Sequence, residues 1–175
     1  KGVAVVPTLF GRAFERGDAA HFAHIMETRD LVIKPIRGAN AESAFRLGPD
    51  DVPEAAVARF ASDDFMVQPF VPTVTSQGEV SLFYFGGRYS HAIQKIPSKG
   101  DFRVQEEHGG TIRSWTPGES AHESGTRVMQ GLAERWPDAP TLYARVDLVW
   151  GDDAWWLMEL EVIEPSLYFR MDTHA

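Results

Sequence analysis

Hydrophobic positions along this chain recur with two periods. Runs of period two, or short unbroken apolar runs bounded by turn residues, predict strands at 3–6 (Val-Ala-Val-Val), 31–34 (Leu-Val-Ile-Lys), 65–68 (Phe-Met-Val-Gln), 79–85 and 88–95, and a final pair of strands within 143–165. Helical spacing predicts a helix at about 19–29, with Asp18 as its cap and Phe22, Ile25 and Met26 on its apolar face. A second helix is expected from Pro49-Asp50-Asp51 to about Phe60, capped by Asp51. A third is expected over about 119–135, where Thr116-Pro117-Gly118-Glu119 gives a capping Thr, a Pro at the first position and a Thr-x-x-Glu box. Val128, Met129 and Leu132 form its core stripe, while Gly125 and Gly131 weaken it. Residues 11–17 are expected to form a loop.

Two hairpins stand out. Gly86-Gly87 joins the runs 79–85 and 88–93 and supplies the positive φ angles of a type I′ turn. Gly151-Asp152-Asp153 joins two runs rich in β-branched and aromatic residues. In the second hairpin Glu159 and Glu161 share one strand face, and pairing can bring Asp147 to the same face. Two readings of this acidic face stand. It is the solvated side of an edge hairpin, or it gathers carboxylates round a divalent cation, because clustered like charges need a counter-charge. Hard oxygen ligands without His or Cys suit Mg²⁺.

Other polar residues sit where an apolar pattern stops. Lys34 closes a strand before Pro35, so its ammonium needs an anion, or snorkels to water. Lys95 closes another strand. Gln68-Pro69-Phe70-Val71-Pro72 is a rigid, extended linker framed by prolines. The segment 97–110 is polar, carries three glycines and contains Arg103, Gln105 and His108; with few buried contacts to hold it, mobility is expected. His21 and His24, three apart, read as a solvated helix face rather than a metal pair, and His108 as a loop cap rather than a base.

The 175 residues suffice for one sizeable core or two small subdomains sharing a cleft. A formal net charge of -8 argues against a general nucleic-acid surface. With no cysteine there are no disulfides, thiol nucleophiles or Cys-zinc sites, which fits a cytoplasmic protein. No apolar run is long enough for a membrane-spanning helix, so no membrane partner is expected. The chain starts Lys1-Gly2-Val3 and stops soon after Pro165, as expected of a piece of a longer polypeptide.

Taken in order, these motifs resemble the ATP-grasp ligases. Arg145-Val-Asp147 followed by Glu159-Leu-Glu161-Val-Ile-Glu-Pro165 resembles the family's metal-binding end, although Glu161 stands where many members have Asn. Val-Ile-Lys34-Pro35 resembles the strand whose Lys meets the nucleotide phosphates; of the glycine-rich loop that follows it, only Gly38 remains. Gln68, Pro69, Phe70 and Val71 match the hinge whose backbone pairs with adenine, and Lys95 matches a second basic phosphate contact. Relatives such as glutathione synthetase carry Arg near Ser81, which this chain lacks. Gly-Asp-Phe-Arg103, then Gly109-Gly110, resembles the mobile loop that brings an Arg to the transferring phosphoryl group.

The resemblance covers about 160 residues and implies an α+β fold. Two ATP-grasp subdomains, 1–70 and 71–175, would grip ATP between them, with an N-terminal substrate domain absent. It implies ATP and Mg²⁺ as cofactors and small-molecule carboxylate and amine substrates, joined through an acyl phosphate. Asp147, Glu159 and Glu161 would hold metal, and Arg103 would be catalytic. The alternatives are a heterocyclase like cycloserine synthetase and a non-catalytic ATP-binding module. Without a substrate domain the chain is expected to bind nucleotide but not to turn over, and an exposed aromatic run at Tyr168-Phe169 would favour a homo-oligomer.

Overall fold

Two antiparallel sheets organise the chain, of which the computed structural model describes residues 2–38 and 40–172. Contacts divide it into two compact units, Val6–Phe70 and the remainder of the described chain.

The first unit contains β1 (Leu9–Arg12), α1 (Asp18–Ile25), β2 (Leu31–Pro35), β3 (Phe45–Leu47), α2 (Glu54–Phe60) and β4 (Asp64–Pro69), with strand order β1-β4-β2-β3. Leu31, Ile33, Phe65 and Val67 point to one face and are buried with Phe14, Ala19, Ala23, Ala56 and Phe60. Phe65 meets Phe14 edge to face at 5.5 Å and Phe22 at 5.9 Å, pairings worth about 0.5–1.5 kcal/mol each beyond burial. By alternation the other face carries Phe10, Val32, Lys34, Met66 and Gln68.

Several expectations here need correction. The apolar run 3–6 forms no strand; Val5 makes only an isolated parallel bridge to Leu157. Pro7 has no N–H to give a ladder, and the strand starts two residues later and runs into the expected loop as far as Arg12. Asp18 is not the cap of α1: Gly17 holds that position, and the Asp18 carboxylate accepts the Glu15 amide at 2.8 Å. The helix stops at Ile25 because Glu27 takes a left-handed φ of 52°. The amides of Glu27 and Thr28 then turn back to the carbonyls of His24 and Ala23, a Schellman ending. Ile25 is consequently 49% exposed, and Ala19 and Ala23 form the buried stripe with Phe22 and Met26 beside it. The second helix begins after Pro53, so Asp51 does not cap it.

The second unit contains α3 (Thr73–Ser76), β5 (Glu79–Phe85), β6 (Arg88–Ile96), β7 (Thr111–Ser114), α4 (Glu119–Arg135), β8 (Tyr143–Trp150) and β9 (Trp155–Glu161), with strand order β7-β6-β5-β8-β9. Gly86 and Gly87 have φ of 55° and 76°, as the type I′ turn requires. Val128 and Met129 of α4 cover Val80, Leu82, Tyr84, Ala92, Val146 and Leu148 on one face. Gly125 permits this approach: a Cβ there would overlap the Tyr84 hydroxyl and lie 2.9 Å from Leu82 Cδ2. It is thus a packing position rather than a weak point. Thr116 does not cap α4; Gly118 holds the cap position without a side-chain bond, and its carbonyl accepts the His122 amide at 3.1 Å.

On the opposite face Phe83, Ile93 and Ile112 pack beneath Leu167, Tyr168 and Met171. Tyr168 therefore belongs to a core, and only Phe169 of the aromatic run is exposed. Among the described residues no helix is long and apolar enough to cross a membrane.

Candidate functional site

Each strand of the second unit sends one or two polar side chains to the face turned away from α4. The ladder sets Lys95 opposite Glu79, Ser81 opposite Asp147, Asp147 opposite Glu159, and Arg145 opposite Glu161. Directly paired residues share a face, so four strands converge on one polar network.

Asp147 lies at its centre, 1% exposed. Ser81 Oγ donates to its Oδ1 at 2.5 Å, and Arg145 Nε reaches both of its oxygens at 3.0 Å. Arg145 Nη2 lies 2.8 Å from Asp147 Oδ2, and Lys95 Nζ lies 3.4 Å from it. Lys95 donates to Glu79 at 2.8 Å, and Arg145 Nη1 pairs with Glu161 at 2.8 Å. Glu159 stands farther out, 3.8 Å from Arg145 Nη2, with its side chain 55% exposed.

These placements set the ionisation states. Burial pushes the Asp147 carboxyl up, but Lys95, Arg145 and the bonds from Arg145 and Ser81 outweigh it and hold it below its ordinary value. Burial likewise lowers Lys95 and Arg145, and the surrounding carboxylates more than reverse this, so both stay charged. Glu159 goes the other way, up to about 7, through lost hydration and then repulsion from Asp147, Glu161 and Glu79. Since that side chain keeps over half its exposure, water screens both effects.

The expected ligands Asp147, Glu159 and Glu161 are thus brought onto one face, together with Lys95. Their hard oxygens suit Mg²⁺ chemically. Among the described residues, however, no group of three or more His, Asp or Glu is gathered as a cage for a metal ion. The cation these carboxylates surround is the Arg145 guanidinium.

Arg103 lies outside that network. Its Nε and Nη2 pair with Asp101 at 3.1 and 2.7 Å, and Asp101 Oδ1 also accepts the amides of Phe102 and Arg103. The surrounding loop is better anchored than its polar composition suggests. Val104 is 3% exposed, Ser98 Oγ donates to the His108 carbonyl at 3.0 Å, and Arg170 Nη2 bonds both Glu106 oxygens at 2.8 and 2.7 Å. A Cβ on Gly110 would overlap the Val104 carbonyl, so that position demands glycine.

In the first unit Lys34 is half-buried opposite Met66, on the face away from the helices. Gln68 lies on the same face, and its Nε2 donates to Thr8 Oγ1 at 2.9 Å. Pro69 ends β4 opposite Leu31. The Phe70 amide donates to the Asp30 carbonyl at 2.8 Å, and its ring lies under the Arg46 guanidinium at 3.7 Å. Within the second unit, the Val71 carbonyl accepts the Val74 amide at 3.1 Å.

Sequence reasoning gave no role to Glu79, Ser81 or Arg145. For the first two a signal was present: polar residues at alternate positions of the otherwise apolar strand 79–85.

This pair of antiparallel sheets with their helices is the fold of the ATP-grasp ligases. The family "Prokaryotic glutathione synthetase, ATP-grasp domain" matches residues 12–169, and the chain belongs to it. It is 30% identical to the cycloserine biosynthesis protein DcsG of Streptomyces lavendulae, covering 95% of this chain and 59% of that protein. It is 24% identical to the glutathione synthetase of Bradyrhizobium diazoefficiens, covering 91% of this chain and 48% of that one. The crystal structure of D-cycloserine synthetase DcsG superposes with a TM-score of 0.81 at 27% identity, over 98% of this chain and 61% of that chain. An ATP-grasp ligase, PsnB, solved with a minimal precursor, Mg and ADP, matches in fold with a TM-score of 0.65 at 14% identity, over 99% of this chain and 50% of that chain. The chain spans less than two thirds of each of these relatives.

Proposed function

We propose that the chain is the ATP-binding and catalytic part of a ligase that joins a carboxylate to an amine through an acyl phosphate. The carboxylate oxygen attacks the γ-phosphorus of ATP, and the bond to the bridging oxygen of ADP breaks. The amine then attacks the acyl carbon, and phosphate leaves with the C–O bond electrons. The observation that carries this reading is the buried Lys95–Asp147–Arg145 network, with Glu159 and Glu161 at its edge, on the sheet face opposite α4.

Lys95 stays protonated at this site and offers a fixed positive charge to a phosphate. Lys34 offers a second, on the face of its sheet turned away from the helices. The backbone of Gln68, Pro69, Phe70 and Val71 takes the adenine edge. Arg103 meets the transferring phosphoryl group, for which a guanidinium fork fits the oxygens. Asp147, Glu159 and Glu161 would hold Mg²⁺, which when bound neutralises charge between the β- and γ-phosphates. The ATP supply such an enzyme draws on is cytoplasmic, and we assign it there.

A second reading is ring closure within one substrate, by the same phosphoryl chemistry. It is favoured by the 30% identity and the TM-score of 0.81 to DcsG. The test is ADP release from Mg·ATP with candidate carboxylates, with and without amines, followed by mass analysis of the products. A condensed product from two substrates supports ligation, and a cyclised single substrate supports the second reading. Nucleotide binding without substrate-dependent ADP release would leave a non-catalytic ATP-binding module.

A further inference from the structure

Arg145 makes ionic contacts with more carboxylates than any other cation of the site. Its Nε spans both Asp147 oxygens at 3.0 Å, its Nη2 lies 2.8 Å from Asp147 and 3.8 Å from Glu159, and its Nη1 lies 2.8 Å from Glu161. These are the three carboxylates assigned to the metal. Its side chain is 10% exposed. A guanidinium does not lose its proton in a protein, so it leaves such a position only by moving. Lys95 adds a second charge beside Asp147 but turns mainly to Glu79.

We propose that Arg145 is the internal counter-ion of the acidic site, standing where the metal binds and displaced when the metal enters. The inference rests on the metal assignment made above and adds a competition to it. A divalent ion gathering Asp147, Glu159 and Glu161 must take oxygens that Arg145 now holds. Without metal, Arg145 keeps the carboxylates together and prevents their repulsion from opening the β8–β9 ladder. With metal, a guanidinium freed beside it becomes available to an anion. Arg145 is then a positioning residue whose removal strengthens metal binding, the reverse of what a residue serving the metal would do.

The test is titration of Mn²⁺, read from the electron paramagnetic resonance of the free ion, into the parent chain, Arg145→Met and Arg145→Lys. Each is titrated with and without ADP. Arg145→Met is expected to bind Mn²⁺ about tenfold more tightly than the parent, since one full opposing charge is removed. Arg145→Lys is expected to fall between them, because an ammonium reaches fewer carboxylates than a fork. Melting gives an independent readout: without metal Arg145→Met should melt below the parent, and Mn²⁺ should raise its Tm by more than it raises the parent's. If Arg145→Met folds neither with nor without metal, Arg145→Lys alone decides, by binding tighter than the parent or not. Equal or weaker Mn²⁺ binding by the variants, with clear binding by the parent, overturns the counter-ion role and leaves the metal assignment standing. No Mn²⁺ binding by any of the three, in either series, overturns the metal assignment and this inference with it.

Discussion

Asp147 stands directly opposite Glu159, and it does so because β9 carries one extra residue, Met158, between the partners of Asp147 and Leu148. From the turn outward, Trp150 pairs Trp155, Val149 pairs Trp156 and Leu148 pairs Leu157. Continued without a bulge, that count would set Met158 opposite Asp147 and send Glu159 and Glu161 to the face under α4. The bulge reverses the alternation and collects the carboxylates. Their exposure then differs greatly, 1% for the Asp147 side chain and 55% for that of Glu159, and this decides which variant tests the metal cleanly. Asp147→Asn strips Lys95 and Arg145 of a buried partner and should cost about 3–5 kcal/mol. Glu159→Gln removes a repelled, largely exposed charge and should not lower stability at neutral pH. Both should lose Mg·ATP affinity. Urea unfolding in chelator and calorimetry with Mg·ATP measure the two effects; unchanged affinity in both variants would sink the metal assignment.

The pH dependence of the metal-free chain follows from the same pair. Glu159 is raised from 4.5 to about 7 on folding. Between those values the folded state binds more protons than the unfolded state, so the contribution of Glu159 to stability falls as pH rises. Asp147 is lowered, so its contribution is present above its unfolded value of 3.8 and is lost as pH falls through its folded one. The two windows do not overlap. The difference in Tm between the parent and Glu159→Gln, measured in chelator, should therefore change between about pH 4.5 and 7 and be flat above about 8. A flat difference across the whole range would show that the Glu159 carboxyl is not raised.

Gly125 on α4 gives a packing test independent of the chemistry. An alanine there gains about 1 kcal/mol of helix propensity but places a methyl into the Tyr84 hydroxyl and against Leu82. Overpacking of this kind costs about 1–3 kcal/mol, so Gly125→Ala should be net destabilising. Tyr84→Phe removes the overlapping oxygen and should recover much of that loss in the double variant, a coupling of about 1 kcal/mol. Additive effects of the two substitutions would mean the helix does not sit on Tyr84.

How much of this the sequence carried depended on whether a contact follows from chain neighbours. The Gly86-Gly87 hairpin, β2, β4 and the extent of α4 were legible because period and turn chemistry are local. The acidic residues and Lys95 were legible as polar interruptions of apolar strands. The partnerships among them were not. The 79–96 hairpin also changes register between Leu82 and Tyr84, and only then does Lys95 fall opposite Glu79 rather than on the other face. A bulge leaves no signature in residue type, so pairings beyond it could not be counted from the turn. The end of α1 escaped for a similar reason: a Glu, not a Gly, takes the left-handed position at 27. The strands at 45–47 and 111–114 are three and four residues long, too short for a period to show.

Lys34 is half-buried beside Met66, on the face of the first unit's sheet turned away from the helices. Replacement by Met keeps the aliphatic stem and removes the ammonium. The variant should still unfold cooperatively in urea, since the aliphatic stem keeps its packing. Nucleotide affinity should fall about tenfold or more, the loss of one charge-assisted phosphate contact. Calorimetry with ADP and urea unfolding on the same samples separate the two. An ADP affinity equal to the parent's would rule out the phosphate role of Lys34.

Arg103 should behave differently from Lys34, because its partner is already in place. Asp101 holds its guanidinium in a fork and also caps the turn by accepting the amides of Phe102 and Arg103 at 2.7 and 2.9 Å. Bonding to Arg103 keeps the Asp101 carboxyl well below the usual carboxylate range, so the pair stays ionised at any working pH. Val104 anchors the turn from the next position, 3% exposed. An Arg held this way needs little ordering to meet a phosphoryl group, and it contributes most where charge shifts during transfer. Arg103→Ala should lower the rate of ADP formation by about a hundredfold or more while changing nucleotide Kd by less than about threefold. Asp101→Asn should lose part of that rate through a loosened turn, with Arg103 still present. Single-turnover ADP formation and calorimetric Kd, measured on both variants, give the comparison. A parallel loss of affinity and rate in Arg103→Ala would make Arg103 a ground-state phosphate ligand instead.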